Sequence, residues 1–96
     1  MFPTRDVAPR ALSEILKHQP MSDAKVRFAW LSSVGPSVGR ATSVMLDAAG
    51  TLRVTAETEH WRREIARSRL AITRRLTDLL GAGTVKKLSV KRRGRA

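Results

Sequence analysis

Two short alternating segments joined by a tight connection constrain the fold of this chain more than any other feature. In residues 42–46, Thr42, Val44 and Leu46 alternate with smaller or flexible neighbours. In residues 51–56, Leu52, Val54 and Ala56 alternate with more polar side chains. The intervening Asp47-Ala-Ala-Gly50 is typical of a tight turn. Together these segments predict a β-hairpin with one buried and one solvated face. The rest of the chain must therefore supply the elements that cover the buried face.

Two helices are predicted before the hairpin. Residues 9–19 combine a proline at the start with apolar side chains at helical spacing, which is typical of a short amphipathic helix. Ser22 or Asp23 then caps a second helix, which Gly35-Pro36 interrupts. A short turn over residues 37–40 leads into the hairpin.

One long helix is predicted after the hairpin, over residues 58–80. Thr58 is a suitable N-cap, and glycines at positions 81 and 83 end the helix. Its apolar stripe consists of Trp61, Ile65, Ile72, Leu76 and Leu79. Residues 85–90 then offer a short strand. A strand that returns after a helix can join the hairpin, so the order α-α-β-β-α-β predicts an α+β fold with a three-stranded sheet packed on helices.

The length and composition predict a single domain. A chain of 96 residues has room for one modest core. We expect a flexible lead-in over residues 1–8, a folded domain over 9–90 and a disordered basic tail over 91–96. The absence of cysteine excludes disulfides and thiolate chemistry. Neither a signal-peptide apolar region nor a long apolar run is present, which favours a cytoplasmic location and no membrane contact.

The positive charge is concentrated in the last third of the chain. Residues 1–61 contain 7 Lys/Arg and 6 Asp/Glu, a net of +1, whereas residues 62–96 contain 12 Lys/Arg and only Glu64 and Asp78, a net of +10. A uniformly basic protein would not divide its charge in this way. The division predicts a polyanionic partner for the C-terminal third.

These cations form the predicted nucleic-acid interface. On one helical wheel, Arg63, Arg67 and Arg74 lie opposite the apolar stripe, with only Glu64 and Asp78 to neutralise the face. The full predicted set is Arg62, Arg63, Arg67, Arg69, Arg74, Arg75, Lys86, Lys87, Lys91, Arg92, Arg93 and Arg95. If six to eight of them meet phosphates, affinity should fall on the order of a thousandfold between about 50 and 200 mM salt.

Two tryptophans are candidates for core packing or for contact with a partner. Trp30 and Trp61 both lie on apolar helical stripes, and neither has a second aromatic side chain suited to form a stacking platform. We expect both to pack in the core rather than to stack on bases.

Catalytic chemistry is poorly supported. Gly35-Pro-Ser-Val-Gly39 lacks the GK[ST] ending of a phosphate-binding loop. His18 and His60 have no partner at metal-ligand spacing. No nucleophile accompanies the scattered glutamates. We therefore expect no enzyme activity, no metal, no cofactor and no small-molecule substrate.

An ordered set of short motifs extends from about residue 12 to residue 90. It comprises a helix carrying Trp30 before Val34-Gly35, Ala41-Thr42 leading into Val44-Met45-Leu46, Gly50-Thr-Leu52-Arg-Val54, Trp61, Leu79-Leu80-Gly81 and Val85-Lys-Lys-Leu88. In this set the chain resembles the DciA family of bacterial proteins that act on the replicative helicase.

The resemblance implies a KH-like domain that helps to load a DnaB-type replicative helicase, that has affinity for single-stranded DNA, and that works without ATP at the nucleoid. KH domains hold nucleic acid with a GXXG loop between helices, and residues 35–39 have the wrong spacing for that loop. The nucleic-acid contact is thus expected on the basic helix and tail. A KH-like RNA-binding or ribosome-associated protein is the alternative, which the same arginine face would serve.

Overall fold

The computed structural model describes Ile15 and residues 18–94. Their elements in chain order are α1 (Asp23–Val34), α2 (Pro36–Arg40), β1 (Thr42–Leu46), β2 (Thr51–Ala56), α3 (Glu59–Arg67), α4 (Arg69–Leu80) and β3 (Lys87–Arg92). The helix predicted over residues 9–19 and the lead-in over residues 1–8 fall largely outside the described residues. The α+β class, with a three-stranded sheet packed on helices, is confirmed.

The predicted hairpin forms β1 and β2, which pair antiparallel with Leu46 opposite Leu52. The Asp47 carboxylate builds the turn, because its Oδ1 accepts hydrogen bonds from the N–H groups of Ala49 (2.9 Å) and Thr51 (3.0 Å). The hydrogen bond from the Thr51 amide is the main reason that the Asp47 pKa lies below its ordinary value, with Arg53 adding to the effect. β3 joins the other side of β2 in parallel, giving a mixed sheet in the order β1-β2-β3.

α1 begins and ends where the local sequence predicts. Ser22 is its N-cap, and the hydroxyl accepts from the Lys25 N–H at 3.1 Å. Gly35 ends the helix with a φ of 89°, a conformation that favours glycine. Pro36 then starts α2, a five-residue helix where the sequence predicted a turn. Proline fits the first helical position because its missing N–H has no partner there.

The prediction of one continuous helix over residues 58–80 is wrong, because Ser68 divides it into α3 and α4. Ser68 has φ −97° and ψ 14°, far from the helical ψ of about −42°. Its N–H still donates to the carbonyls of Glu64 and Ile65, both at 3.1 Å, and the Ile72 N–H donates to the Ser68 carbonyl at 3.0 Å. The turn serves two packing requirements: α3 packs on β2 and β3, whereas α4 packs on α1.

The core lies between the sheet and the helices. Leu52 and Val54 of β2 belong to one buried cluster with Ile65 of α3, Leu76 of α4 and Trp30 of α1. The opposite face of the sheet is exposed at Arg53 and solvated, as predicted.

β3 has the predicted length but is shifted by two residues toward the C-terminus. It runs from Lys87 to Arg92, and the Arg93 N–H still donates to the Ala56 carbonyl at 2.7 Å. Lys91 and Arg92 are therefore strand residues, and their assignment to a disordered tail is wrong. Residues 95–96 lie outside the described part of the chain.

Candidate nucleic-acid interface

Eleven of the twelve predicted cations lie among the described residues, and Arg95 does not. The break at Ser68 means that one helical wheel no longer relates them. They fall into three groups with different surroundings: the arginines of α3, those of α4, and the cations on and around β3.

The α3 group, Arg62, Arg63 and Arg67, is largely neutralised by neighbouring carboxylates. Arg62 donates to both oxygens of Glu59, from Nε at 2.9 Å and from Nη2 at 2.7 Å. Arg63 Nε donates to Glu59 Oε2 at 3.3 Å. Arg67 Nη1 donates to Glu64 Oε2 at 3.0 Å. A phosphate that approached this group would have to compete with two carboxylates.

The pairing is reflected in the titration of Glu59. The two hydrogen bonds from Arg62 lower the pKa of the Glu59 carboxyl from 4.5 to about 2, with Arg63 adding to the shift. The same contact raises the pKa of the Arg62 guanidinium. Glu59 therefore remains charged, and paired, well below neutral pH.

The sequence carries a signal for the pairing of Glu59 with arginine, which the prediction of a single basic helix face omitted. Carboxylate and guanidinium at i, i+3 and i, i+4 are neighbours on a helix surface. Glu59 stands at these spacings from Arg62 and Arg63. It lies just inside the N-terminus of α3, where a negative charge is also favoured by the helix dipole.

The α4 group differs from the α3 group. Arg69 and Arg74 are exposed, and neither forms an ion pair with a carboxylate in the described part of the chain. Arg75 is held by a neutral group, since its Nη1 donates to the Ser33 carbonyl of α1 at 2.9 Å. That contact satisfies an orphan carbonyl near the C-terminus of α1 and leaves the arginine charge uncompensated.

The cations of β3 divide between the two faces and one end of the sheet. Leu88 and Val90 face the helices, so Lys87 and Lys91 point to the open face. Arg92 pairs in register with Ala56, which places Arg92 and Arg93 at the end of the sheet where α3 begins. All four of these cations are exposed, as is Lys86 just before the strand. No carboxylate within the described ranges forms an ion pair with them.

The two tryptophans have different environments. Trp30 is 2% exposed, and its Nε1–H donates to Thr42 Oγ1 at 2.8 Å, so its core role is confirmed. Trp61 is only partly buried and packs against the core from the edge. Its ring meets the His60 ring edge-on at 5.0 Å. Trp61 also lines a cavity of about 280 Å³ between α1, α2, α3 and α4.

The joint between α3 and α4 is an exposed basic segment that sequence reasoning missed. Arg67, Ser68, Arg69 and Leu70 are all exposed, and the Leu70 side chain is 75% exposed. Arginines thus stand on both sides of the turn. No glycine or proline marks the break, so the local sequence gives no signal for it.

Within the described residues, no group of three or more His, Asp or Glu side chains is placed to hold a metal ion. None of the helices in this part of the chain is long and apolar enough to cross a membrane.

The comparison with known proteins gives one clear result. No curated protein matches the chain. A family model described as "Dna[CI] antecedent, DciA" matches residues 3–90 of the 96 residues, nearly the whole chain. The chain therefore belongs to the DciA family.

Proposed function

We propose that this protein is an adaptor of DNA replication that binds the DnaB-type replicative helicase and single-stranded DNA and promotes helicase loading without hydrolysing ATP. The observation that carries the proposal is membership in the DciA family, which is linked with replicative helicase loading. The division of charge along the chain supports two separate contacts, one with nucleic acid and one with a protein.

A KH-like topology is part of this proposal. β2, α3, α4 and β3 form a β-α-α-β unit in which the two strands are parallel neighbours. The joint between its two helices occupies the position that a GXXG loop takes in KH domains. Residues 67–70 read Arg-Ser-Arg-Leu there. An arginine side chain, above all that of Arg69, thus replaces the close backbone approach that glycines would permit, and it holds phosphate through charge-assisted hydrogen bonds.

Single-stranded DNA contacts the cations that lack a carboxylate partner. Arg69 and Arg74 on α4 are the leading candidates, and Lys87 and Lys91 are a second exposed group, on the open face of the sheet. The α3 arginines contribute less, because Glu59 and Glu64 already occupy them. Such contacts position the strand and read no base sequence.

The direct test of the helicase contact is a pull-down with the replicative helicase of the same organism, followed by strand unwinding on a primed single-stranded template. We expect binding and stimulated unwinding in a reaction where the adaptor itself consumes no ATP. A chain that neither binds the helicase nor changes unwinding would refute the adaptor function.

The RNA-binding alternative is separated by competition. Labelled single-stranded DNA is bound at one fixed salt concentration and challenged with unlabelled DNA or structured RNA of equal length, because affinities measured at different salt concentrations cannot be compared. The proposal predicts that RNA competes no better than DNA. A large preference for RNA would favour the alternative, an RNA-binding or ribosome-associated protein.

A further inference from the structure

The two edges of the sheet are protected very differently. β3 reads Lys-Leu-Ser-Val-Lys-Arg and carries charges at both ends, which discourage another strand from pairing with it. β1 reads Thr-Ser-Val-Met-Leu and carries neither a charge nor a proline. Met45 in that strand is 61% exposed. An uncharged, apolar edge of this kind is a template for another strand.

The register shows which backbone groups of β1 point outward. The Asp47 N–H donates to the Thr51 carbonyl at 3.0 Å, and the Glu57 N–H donates to the Ala41 carbonyl at 2.9 Å. Pairs alternate along an antiparallel ladder, so Ser43 and Met45 also bond to β2. Val44 and Leu46 therefore direct their N–H and C=O groups away from β2. Among the described residues, no other strand meets them.

A groove runs along this edge between β1 and α1. Its volume is about 450 Å³, and its walls include Leu31 and Trp30 of α1 and Val44 of β1. Leu31 is a large apolar side chain that is 45% exposed. Gly39 forms part of the same wall, and a Cβ there would overlap the Leu31 side chain. The groove thus offers apolar contact next to unpaired backbone groups.

The charges beside the groove select the occupant. Arg27 lines it and Arg40 is exposed just before β1, and neither forms an ion pair in the described part of the chain. The net charge of +11 opposes pairing with a second copy of this chain. Nucleic acid offers no peptide groups to a strand edge. An acidic polypeptide segment can pair its carboxylates with the two arginines and its backbone with the outward N–H and C=O groups of β1.

We propose that the β1 edge accepts an extended, acidic segment of a partner protein as a fourth strand of the sheet. Main-chain hydrogen bonds to Val44 and Leu46 supply the affinity, and Arg27 and Arg40 select acidic side chains. This inference rests on the proposed adaptor function in naming the replicative helicase as the partner, but the edge itself can be tested without the helicase.

The first test uses two synthetic peptides, one alternating glutamate with valine and the other alternating lysine with valine. Amide hydrogen exchange of the isotope-labelled chain is followed by NMR. In the free chain the Val44 and Leu46 amides exchange fast, whereas those of Ser43 and Met45 are protected. The acidic peptide slows exchange at Val44 and Leu46, and the basic peptide does not.

Several results of this test would overturn the proposal. Protection of Val44 and Leu46 in the dilute free chain would mean that the chain itself covers the edge. Protection that grows with protein concentration alone would indicate a second copy. If both peptides protected the Val44 and Leu46 amides equally, or if neither did, an acidic segment would be ruled out as the occupant of the edge.

The second test repeats the exchange with the replicative helicase and adds the variant Arg27→Gln/Arg40→Gln. Its control, Ala82→Glu/Gly94→Glu, lowers the net charge by the same two units at exposed positions that do not line the groove. We expect protection at Val44 and Leu46, a loss of about tenfold in helicase affinity for the arginine variant, and less than about threefold for the control.

The two proposals fail in distinguishable ways. A helicase that binds without protecting Val44 and Leu46, or that binds both variants equally, overturns the strand-addition proposal and leaves the adaptor function standing. A helicase that does not bind at all refutes the adaptor function. The peptide experiment alone then tests whether the β1 edge accepts an acidic strand.

Discussion

α3 and α4 come from a sequence segment that is typical of one helix, yet within the described residues the arginines of α3 are ion-paired and two exposed arginines of α4 are not. On α3, Glu59 and Glu64 form ion pairs with three arginines, each about one turn away. On α4, Arg69 and Arg74 are exposed without an ion pair to any carboxylate in the described ranges. The density of arginine is similar in the two helices, but the charge available to a partner is not.

The two helices also differ in what they are packed against. Ile65 anchors α3 on the sheet, and Leu76 anchors α4 on α1. Ser68 lies between them, at the point where the chain changes direction. The division of packing explains why the cations of one apparent helical face are separated into two groups.

The largest expected effect concerns these anchors. Leu76 is 0% exposed, so Leu76→Ala should lower the free energy of unfolding by about 2–5 kcal/mol through lost burial and a residual cavity. Ile65→Ala should do the same for α3. Leu70→Ala, at the exposed joint, is the control and should change stability by less than about 0.5 kcal/mol. Denaturant unfolding monitored by Trp fluorescence measures all three. A large loss for Leu70→Ala would mean that the joint itself is a packing site.

A smaller effect is expected from releasing the α3 arginines. Glu59→Gln removes the partner of Arg62 and Arg63, so single-stranded DNA should bind about threefold tighter as these guanidinium groups become available. Glu57→Gln, just before α3, adds the same charge without releasing an ion pair seen among the described residues. Fluorescence anisotropy with a labelled oligonucleotide compares them. Equal gains for both variants would show that only net charge matters.

The smallest expected effect is the change in stability with pH that comes from the Glu59 carboxyl of α3. The Glu59 pKa is lowered from 4.5 to about 2 by Arg62, so its contribution to stability is fully present above pH 4.5 and is lost as the pH falls toward 2. Carbon-13 NMR of the glutamate carboxyls should place the midpoint of Glu59 near its lowered value. Arg62→Gln should raise that midpoint toward 4.5. An unshifted midpoint in the unmodified protein would contradict the ion pair.

Local patterns were sufficient for the hairpin and for α1. Alternation over residues 42–46 and 51–56, with Asp47 and Gly50 in the turn, needs no tertiary information. The Ser22 cap and the Gly35 stop of α1 are also local signals. In each case the residues that determine the element are its own neighbours.

The joint at Ser68 and the Ser33 contact could not be predicted in this way. Residues 67–70 are compatible with a continuous helix, and only the separate packing of α3 on the sheet and α4 on α1 requires the turn. The Arg75 bond to the Ser33 carbonyl joins residues 42 positions apart. Tertiary contacts also extend β3 to Arg92, because β2 offers pairing partners up to Ala56.

The difference between α3 and α4 is tested most directly by the salt dependence of single-stranded DNA binding in two double variants. Arg69→Gln/Arg74→Gln and Arg62→Gln/Arg63→Gln each remove two positive charges, so the general attraction falls equally in both. Each phosphate contact on a single strand contributes about 0.7 to the slope of log affinity against log salt concentration. We predict that the α4 variant flattens the slope by about 1.4, whereas the α3 variant leaves it close to that of the unmodified protein. An equal flattening in the two variants would contradict the assignment of the DNA contact to α4.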